Sequence, residues 1–232
     1  GDLRLDAAAC RMFAEWVDEV DSLEEFNRRW ARVGLPKALC YAMLRVCERA
    51  DALHAKPWSC EAESSQCREI AGYCCRVLGE MAYDEADAVF DAGGVDAVIW
   101  GFQLFGKDAL MLQNACYALR NLAMSRDPHP RDVSTCVSSI ISEGGIQVIV
   151  TALETSVAVV GLLLSAEIYH YGCDALACLT QLGGRASRQC VFRETVGGSL
   201  IVKAMNLFSR EIAVQQTGCN VMYNLLYLAF DQ

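Results

Sequence analysis

A chain of 232 residues, 53% of them hydrophobic, carries ample apolar material for a sizeable core. Its net charge of -9 repels phosphate backbones, so nucleic acid is an unfavourable partner, and the short basic cluster of Arg126, His129 and Arg131 does not alter that balance. Thirteen cysteines without a Cys-x-x-Cys pair, and three isolated histidines (His54, His129, His170), supply neither a disulfide framework nor the paired spacing of a structural zinc site.

No metal or other cofactor is therefore expected. The cysteines read as small buried apolar residues in a reducing, cytoplasmic setting. Four prolines and no sustained alternation of apolar and polar residues predict an all-α chain. AAACRMFAEWV, from Ala7, is the first apolar-periodic helix. Ser22 and Glu25 then form a capping box for a second helix, Gly34 turns the chain, and Pro36 suits the first turn of a third. ERADALHAKPWSCEAESSQ, from Glu48, reads as an insertion. Trp16, Trp30 and Trp100 are expected to be core anchors, and Trp58, beside Pro57, to be exposed.

Four later segments share one pattern. They are IAGYCCRVLGEMA from Ile70, MLQNACYALRNLA from Met111, IYHYGCDALACLT from Ile168 and VQQTGCNVMYNLL from Val214. Aligned on Cys75, Cys116, Cys173 and Cys219, each has a small residue before the cysteine. Large apolar residues follow at plus three (Leu78, Leu119, Leu176, Met222) and plus six (Met81, Leu122, Leu179, Leu225). Between them lie AGGVDAVIWGFQLF from Ala92, EGGIQVIVTALE from Glu143 and VGGSLIVKAMNLF from Val196. Each glycine pair is predicted to end a short helix and begin a second one. The short helices are placed at Glu85 to Asp91, Val133 to Ser142 and Ser187 to Thr195. Two longer spacings hold insertions: SRDPHPRD from Ser125 and TSVAVVGLLLSAE from Thr155. The apolar run Val157 to Leu164 is far shorter than the roughly 20 residues that span a bilayer, so no transmembrane segment is expected. It reads either as core or as an exposed anchor for a partner or membrane surface.

Three-helix units of about 42 residues, with Gly-Gly before the second helix and an ALRNLA-like third, resemble armadillo repeats. The resemblance covers residues 65-232 well and 1-64, as degenerate N-terminal repeats with an insertion, weakly. It implies a right-handed α-solenoid of about four to five units, in one continuous array, whose third helices line a concave groove for extended peptides or partner helices. The last third helix runs to Phe230 with no polar cap repeat after it, so an oligomer or larger complex through uncapped ends is expected.

The position after each cysteine and its helical neighbours form a second stripe. The expected partner-binding groove collects Arg76, Glu80, Gln113, Tyr117, Asn121, Met124, His170, Asp174, Gln181, Gln216, Asn220, Tyr223, Asn224 and Tyr227. Tyrosine, amide and methionine side chains suit adaptable recognition. Peptide-clamping members of the family carry Trp-x-x-x-Asn pairs there. This chain instead has Arg76 with Glu80, Tyr117 with Asn121, Asp174 with Cys178, and Asn220 with Asn224. Asn121 could equally bond backbone groups. No nucleophile elbow, phosphate loop or His-Glu-x-x-His motif is present, and His170 with Asp174 lacks an evident third partner. The sequence thus points to a non-catalytic scaffold or adaptor that binds a protein or peptide. The alternatives are a subunit of a cytoskeletal, ciliary or membrane-tethered assembly and, on the broken Trp-Asn ladder less favoured, a nuclear-transport adaptor.

Overall fold

The computed structural model describes residues 3-20, 22-54, 61-124 and 133-230, which form helices joined by short turns, with no strand among them. In chain order the helices are α1 (Leu3–Glu19), α2 (Leu23–Arg32), α3 (Leu35–His54), α4 (Glu61–Asp84), α5 (Ala86–Asp91), α6 (Gly94–Phe105), α7 (Ala109–Met124), α8 (Val133–Ser142), α9 (Gly145–Leu182), α10 (Gly184–Glu194), α11 (Ser199–Leu207) and α12 (Ile212–Phe230). The insertion at 125-132 and Trp58 lie outside the described residues, as do the side chains of 157-164.

Local chemistry sets most helix ends. Ser22 is extended and its hydroxyl accepts the Glu25 N–H at 3.3 Å, which caps α2. Gly93, Gly144 and Gly198 sit at φ 83°, 89° and 84°, the left-handed region that glycine enters without a Cβ penalty. These turns join α5 to α6, α8 to α9 and α10 to α11, where the glycine pairs were expected to act. Two boundaries shift by one residue, at Glu85 and Thr195, and one by more: α10 begins at Gly184 rather than Ser187, and the buried Ser187 hydroxyl donates to Leu179 O at 2.7 Å from inside the helix.

α9 is helical over 38 residues but is not a straight rod. A rise of about 1.5 Å per residue would separate Leu153 and Tyr169 by about 24 Å. The Tyr169 hydroxyl instead donates to Leu153 O at 2.7 Å, and a Cβ on Gly172 would lie 2.8 Å from Leu153. The helical run therefore doubles back into two arms, 145-156 and 165-182. These arms fall where the sequence pattern places the second and third helices of a three-helix unit.

The register of the long helices shows how the units add. Arg11 pairs with Glu69, and Arg76 with Asp18, both across 58 residues. Asn114 donates to Gly72 O and Asn121 to Gly79 O, both across 42. Gln113 donates to Glu167 and Arg120 to Asp174, both across 54. In each case two contacts seven residues, or about two turns, apart keep one offset. That occurs only if α1, α4, α7 and the second arm of α9 run parallel, side by side. The contact series α1–α4–α7–α9–α12 extends to the last helix, and one continuous apolar core runs from Cys10 to Leu225.

Close approach is built into the α4–α7 seam. A Cβ on Gly79 would stand 2.8 Å from the Tyr117 ring and 3.1 Å from the Ala118 backbone. A side chain there would push α7 away and take the Gly79 carbonyl out of reach of Asn121. The cysteine column is buried at Cys75, Cys116 and Cys173, as expected, but Cys219 is exposed because no further described helix covers that face of α12. Cys40 and Cys47 of α3 join Cys67, Cys74 and Cys75 of α4 in a buried thiol cluster. Burial pushes the Cys40 and Cys47 thiols up to about 12, which keeps them neutral.

Trp30 and Trp100 are partly buried and pack on the core. Trp16 does not anchor it. Although it lies 6.5 Å from Trp30, it is 41% exposed, since among the described residues α1 packs chiefly on α4. Among the described residues no single helix is long and apolar enough to cross a membrane. α8 and the first arm of α9 reach that composition only as a pair bent by 62°.

Candidate functional site

The parallel helices α4, α7 and the second arm of α9, with α12 packed beside that arm, bring the expected groove residues into one series across the molecule. Their environments divide it into a central part and an end.

In the centre most of the polar groups, His170 apart, already have partners on the neighbouring helix. Arg76 pairs with Asp18. The Tyr117 hydroxyl donates to Glu80 at 2.8 Å, and the Tyr117 ring meets Tyr171 edge-on at 5.0 Å. Burial holds the Glu80 carboxyl above the ordinary carboxylate range, against the opposing pull of the Tyr117 hydroxyl and Arg76. Burial and the adjacent Glu80 likewise raise the Tyr117 phenol. Gln113 is tied to Glu167 at 2.6 Å, and Asp174 to Arg120 at 2.7 Å in a pair less than one-fifth exposed on either side. A small cavity of about 180 Å³ remains among Arg76, Glu80, Leu110, Gln113, Tyr117 and Tyr171.

Asn121 belongs to the interior rather than the groove. It is 1% exposed, its amide donates to Gly79 O at 2.8 Å, and its oxygen accepts from Arg120 at 2.8 Å. Asn224 makes the equivalent bond, donating to Ala177 O at 3.0 Å and to Thr180 at 3.1 Å, and is half-buried. The physical reason is shared. Five residues after the cysteine, a side chain points into the seam with the preceding third helix, where a backbone carbonyl awaits a second donor. His170 is half-buried beside Tyr171, with Nδ1 buried and unpartnered among the described residues. Burial lowers its imidazole pKa, with Asp174 opposing, so it is neutral near pH 7. Met124 is half-buried at the end of α7.

The end is different. Gln216, Asn220, Tyr223 and Tyr227 are exposed on α12, as is Gln181 at the end of α9. Tyr223 is 59% and Tyr227 43% exposed, and their hydroxyls share one hydrogen bond of 2.7 Å with the rings edge-to-face. Phe192, Val202 and Leu226 of the same unit are also large exposed apolar residues. This is a surface of aromatic, amide and apolar groups without a charged side chain on α12 itself.

Sequence reasoning overlooked Arg120, Glu167 and Tyr171, which complete the central network. The signal was the 54-residue offset that pairs both Gln113 with Glu167 and Arg120 with Asp174, and it becomes readable once α7 and α9 are set parallel. Among the described residues no group of three or more His, Cys, Asp or Glu side chains converges as a metal site would require. In comparisons with known proteins, no family model, no curated protein and no solved structure matches the chain.

Proposed function

We propose that the chain is an armadillo-type α-solenoid. In this reading it is a non-catalytic scaffold that holds a partner protein or an extended peptide along its third-helix face, anchored on α12. The observation that carries this reading is the contrast along that face. Glu80, Gln113, Tyr117, Arg120, Glu167 and Asp174 are tied to one another across α4, α7 and α9, whereas Gln216, Asn220, Tyr223 and Tyr227 present aromatic area and hydrogen-bonding groups to solvent. Rigid tyrosines with adjacent amides give contact area at low entropic cost and are favoured as interface anchors. The clamp of a nuclear-transport adaptor gains no support, because Asn121 and Asn224 are engaged with the preceding helices.

The test is affinity capture from the native cell with the parent chain and a Tyr223→Ala/Tyr227→Ala variant, with folding checked by circular dichroism. The variant is expected to lose the partners that the parent retains. Undiminished capture by a well-folded variant would sink the α12 anchor. A second reading, a subunit within a larger assembly, draws on the exposed Phe192, Val196, Val202, Leu207, Ile212 and Leu226. It predicts that these residues become protected from hydrogen exchange in the purified native complex.

A further inference from the structure

Away from the third-helix face, a groove of about 840 Å³ runs between α6 and the first arm of α9. It exists because the second helices separate there. α3 packs along α6, whereas α6 and α9 scarcely touch. Phe102, Phe105 and Val148 form a buried apolar floor. Arg68 of α4 and Lys107 of the α6–α7 turn stand on the lining, and neither has an ion-pair partner among the described residues. Asp108 is the one carboxylate among the described lining residues, and it accepts the N–H groups of Leu110 and Met111 at 3.0 and 3.2 Å at the start of α7. The α9 wall offers Gln147 and Thr151, which are uncharged.

Acidic side chains outnumber basic ones in this chain by 29 to 20. Two lining cations without an ion-pair partner among the described residues, against one lining carboxylate that caps α7, give this groove a net positive lining. We propose that it is a second docking site, which takes an acidic amphipathic helix of a partner protein. Leucine or phenylalanine side chains of that helix cover Phe102, Phe105 and Val148, and its aspartates or glutamates meet Arg68 and Lys107. A helix laid between two helical walls is an established recognition mode, and complementary charge fixes its identity. A nucleic acid fits poorly, since the floor is apolar and the molecule as a whole repels phosphate.

The probe is a fluorescent synthetic peptide of about four helical turns, with Leu and Phe on one face and Glu on the other. It is compared with Gln-for-Glu and Lys-for-Glu versions by anisotropy with the full chain. The Glu peptide is expected to bind about tenfold more tightly than the Gln peptide, with a preference that fades in high salt, and the Lys peptide not to bind. Arg68→Gln/Lys107→Gln is expected to erase the preference for Glu and to leave binding of the Gln peptide in place. Thr151→Trp, which fills the groove, is expected to abolish both. Equal binding of Lys and Glu peptides, or a charge preference that survives Arg68→Gln/Lys107→Gln, overturns the proposal. So does displacement of the Glu peptide by inorganic phosphate alone, which would mark a bare anion site. Loss of peptide binding on Tyr223→Ala/Tyr227→Ala with the groove intact would assign the peptide to α12 and equally overturn it.

Discussion

Replacing Asn121 with alanine removes two hydrogen bonds, one across the seam between α4 and α7 and one within α7. Its amide donates to Gly79 O at 2.8 Å, its oxygen accepts from Arg120, and the side chain is 1% exposed. The Gly79 carbonyl keeps its own helical bond, so the loss is of a second partner rather than of its only one. Arg120 keeps Asp174 at 2.7 Å. Both features hold the cost to about 1–2 kcal/mol, toward the lower end of what an unsatisfied buried group imposes. Asn121→Asp differs in kind. It sets a carboxylate oxygen where the amide donor faced a carbonyl, so it should destabilise more than alanine at pH 7. Part of the difference should return in acid, where a protonated carboxyl can donate again. Urea unfolding followed by circular dichroism measures both variants, with Asn114→Ala as the internal match, because Asn114 makes the same bond to Gly72 O at 3.0 Å. An Asn121→Ala chain with an unchanged unfolding midpoint and a lost partner would show that the side chain contacts a ligand, and the packing argument would fail.

Three further outcomes follow, two from the same seam and one from the α5–α6 turn. Gly79→Ala places a Cβ 2.8 Å from the Tyr117 ring and 3.1 Å from the Ala118 backbone, an overpacking cost of about 1–3 kcal/mol. Gly93→Ala meets nothing within 4 Å, but at φ 83° it costs about 1–2 kcal/mol in backbone strain alone, so thermal unfolding should rank both below the parent chain. The folded Glu80 carboxyl titrates above its unfolded value, so its contribution is fully present in acid and is lost as pH rises through the raised folded value. Glu80→Gln, which still accepts from Tyr117, should therefore be more stable than the parent at pH 7. That advantage should vanish as pH falls into the ordinary carboxylate range, and an advantage independent of pH would refute the assigned cause.

The helices themselves were legible because their signals are local. The Ser22 cap, the glycine pairs and the helix at Val133–Ser142 depend on residues within a few positions of one another. Exposure within a helix was not legible in the same way. Asn121 and Asn220 both lie on the recurring stripe beside the cysteine column, yet one is sealed and the other open. The difference lies in what packs beside each helix, and no residue near them in sequence encodes it. Trp16 and Cys219 were misjudged for that reason too. Each has the chemistry of a core residue, on a helix with an uncovered face.

The varying offsets between third helices explain why the central network escaped a pattern search. Pairing runs at 58 residues from α1 to α4, 42 from α4 to α7 and 54 from α7 to α9. The offset changes because the connecting segments differ in length, while the helices they join stay parallel. Aligning the helices on their shared cysteine therefore recovers the cysteine column, whatever the spacing, and misses the partners, whose offset shifts with each connection. The same variation bears on function. Where polar groups already bond across a seam, new contacts form without breaking old ones most readily where a helix face is uncovered or where two helices part. Among the described residues, α12 is the first kind of place and the slot between α6 and α9 is the second.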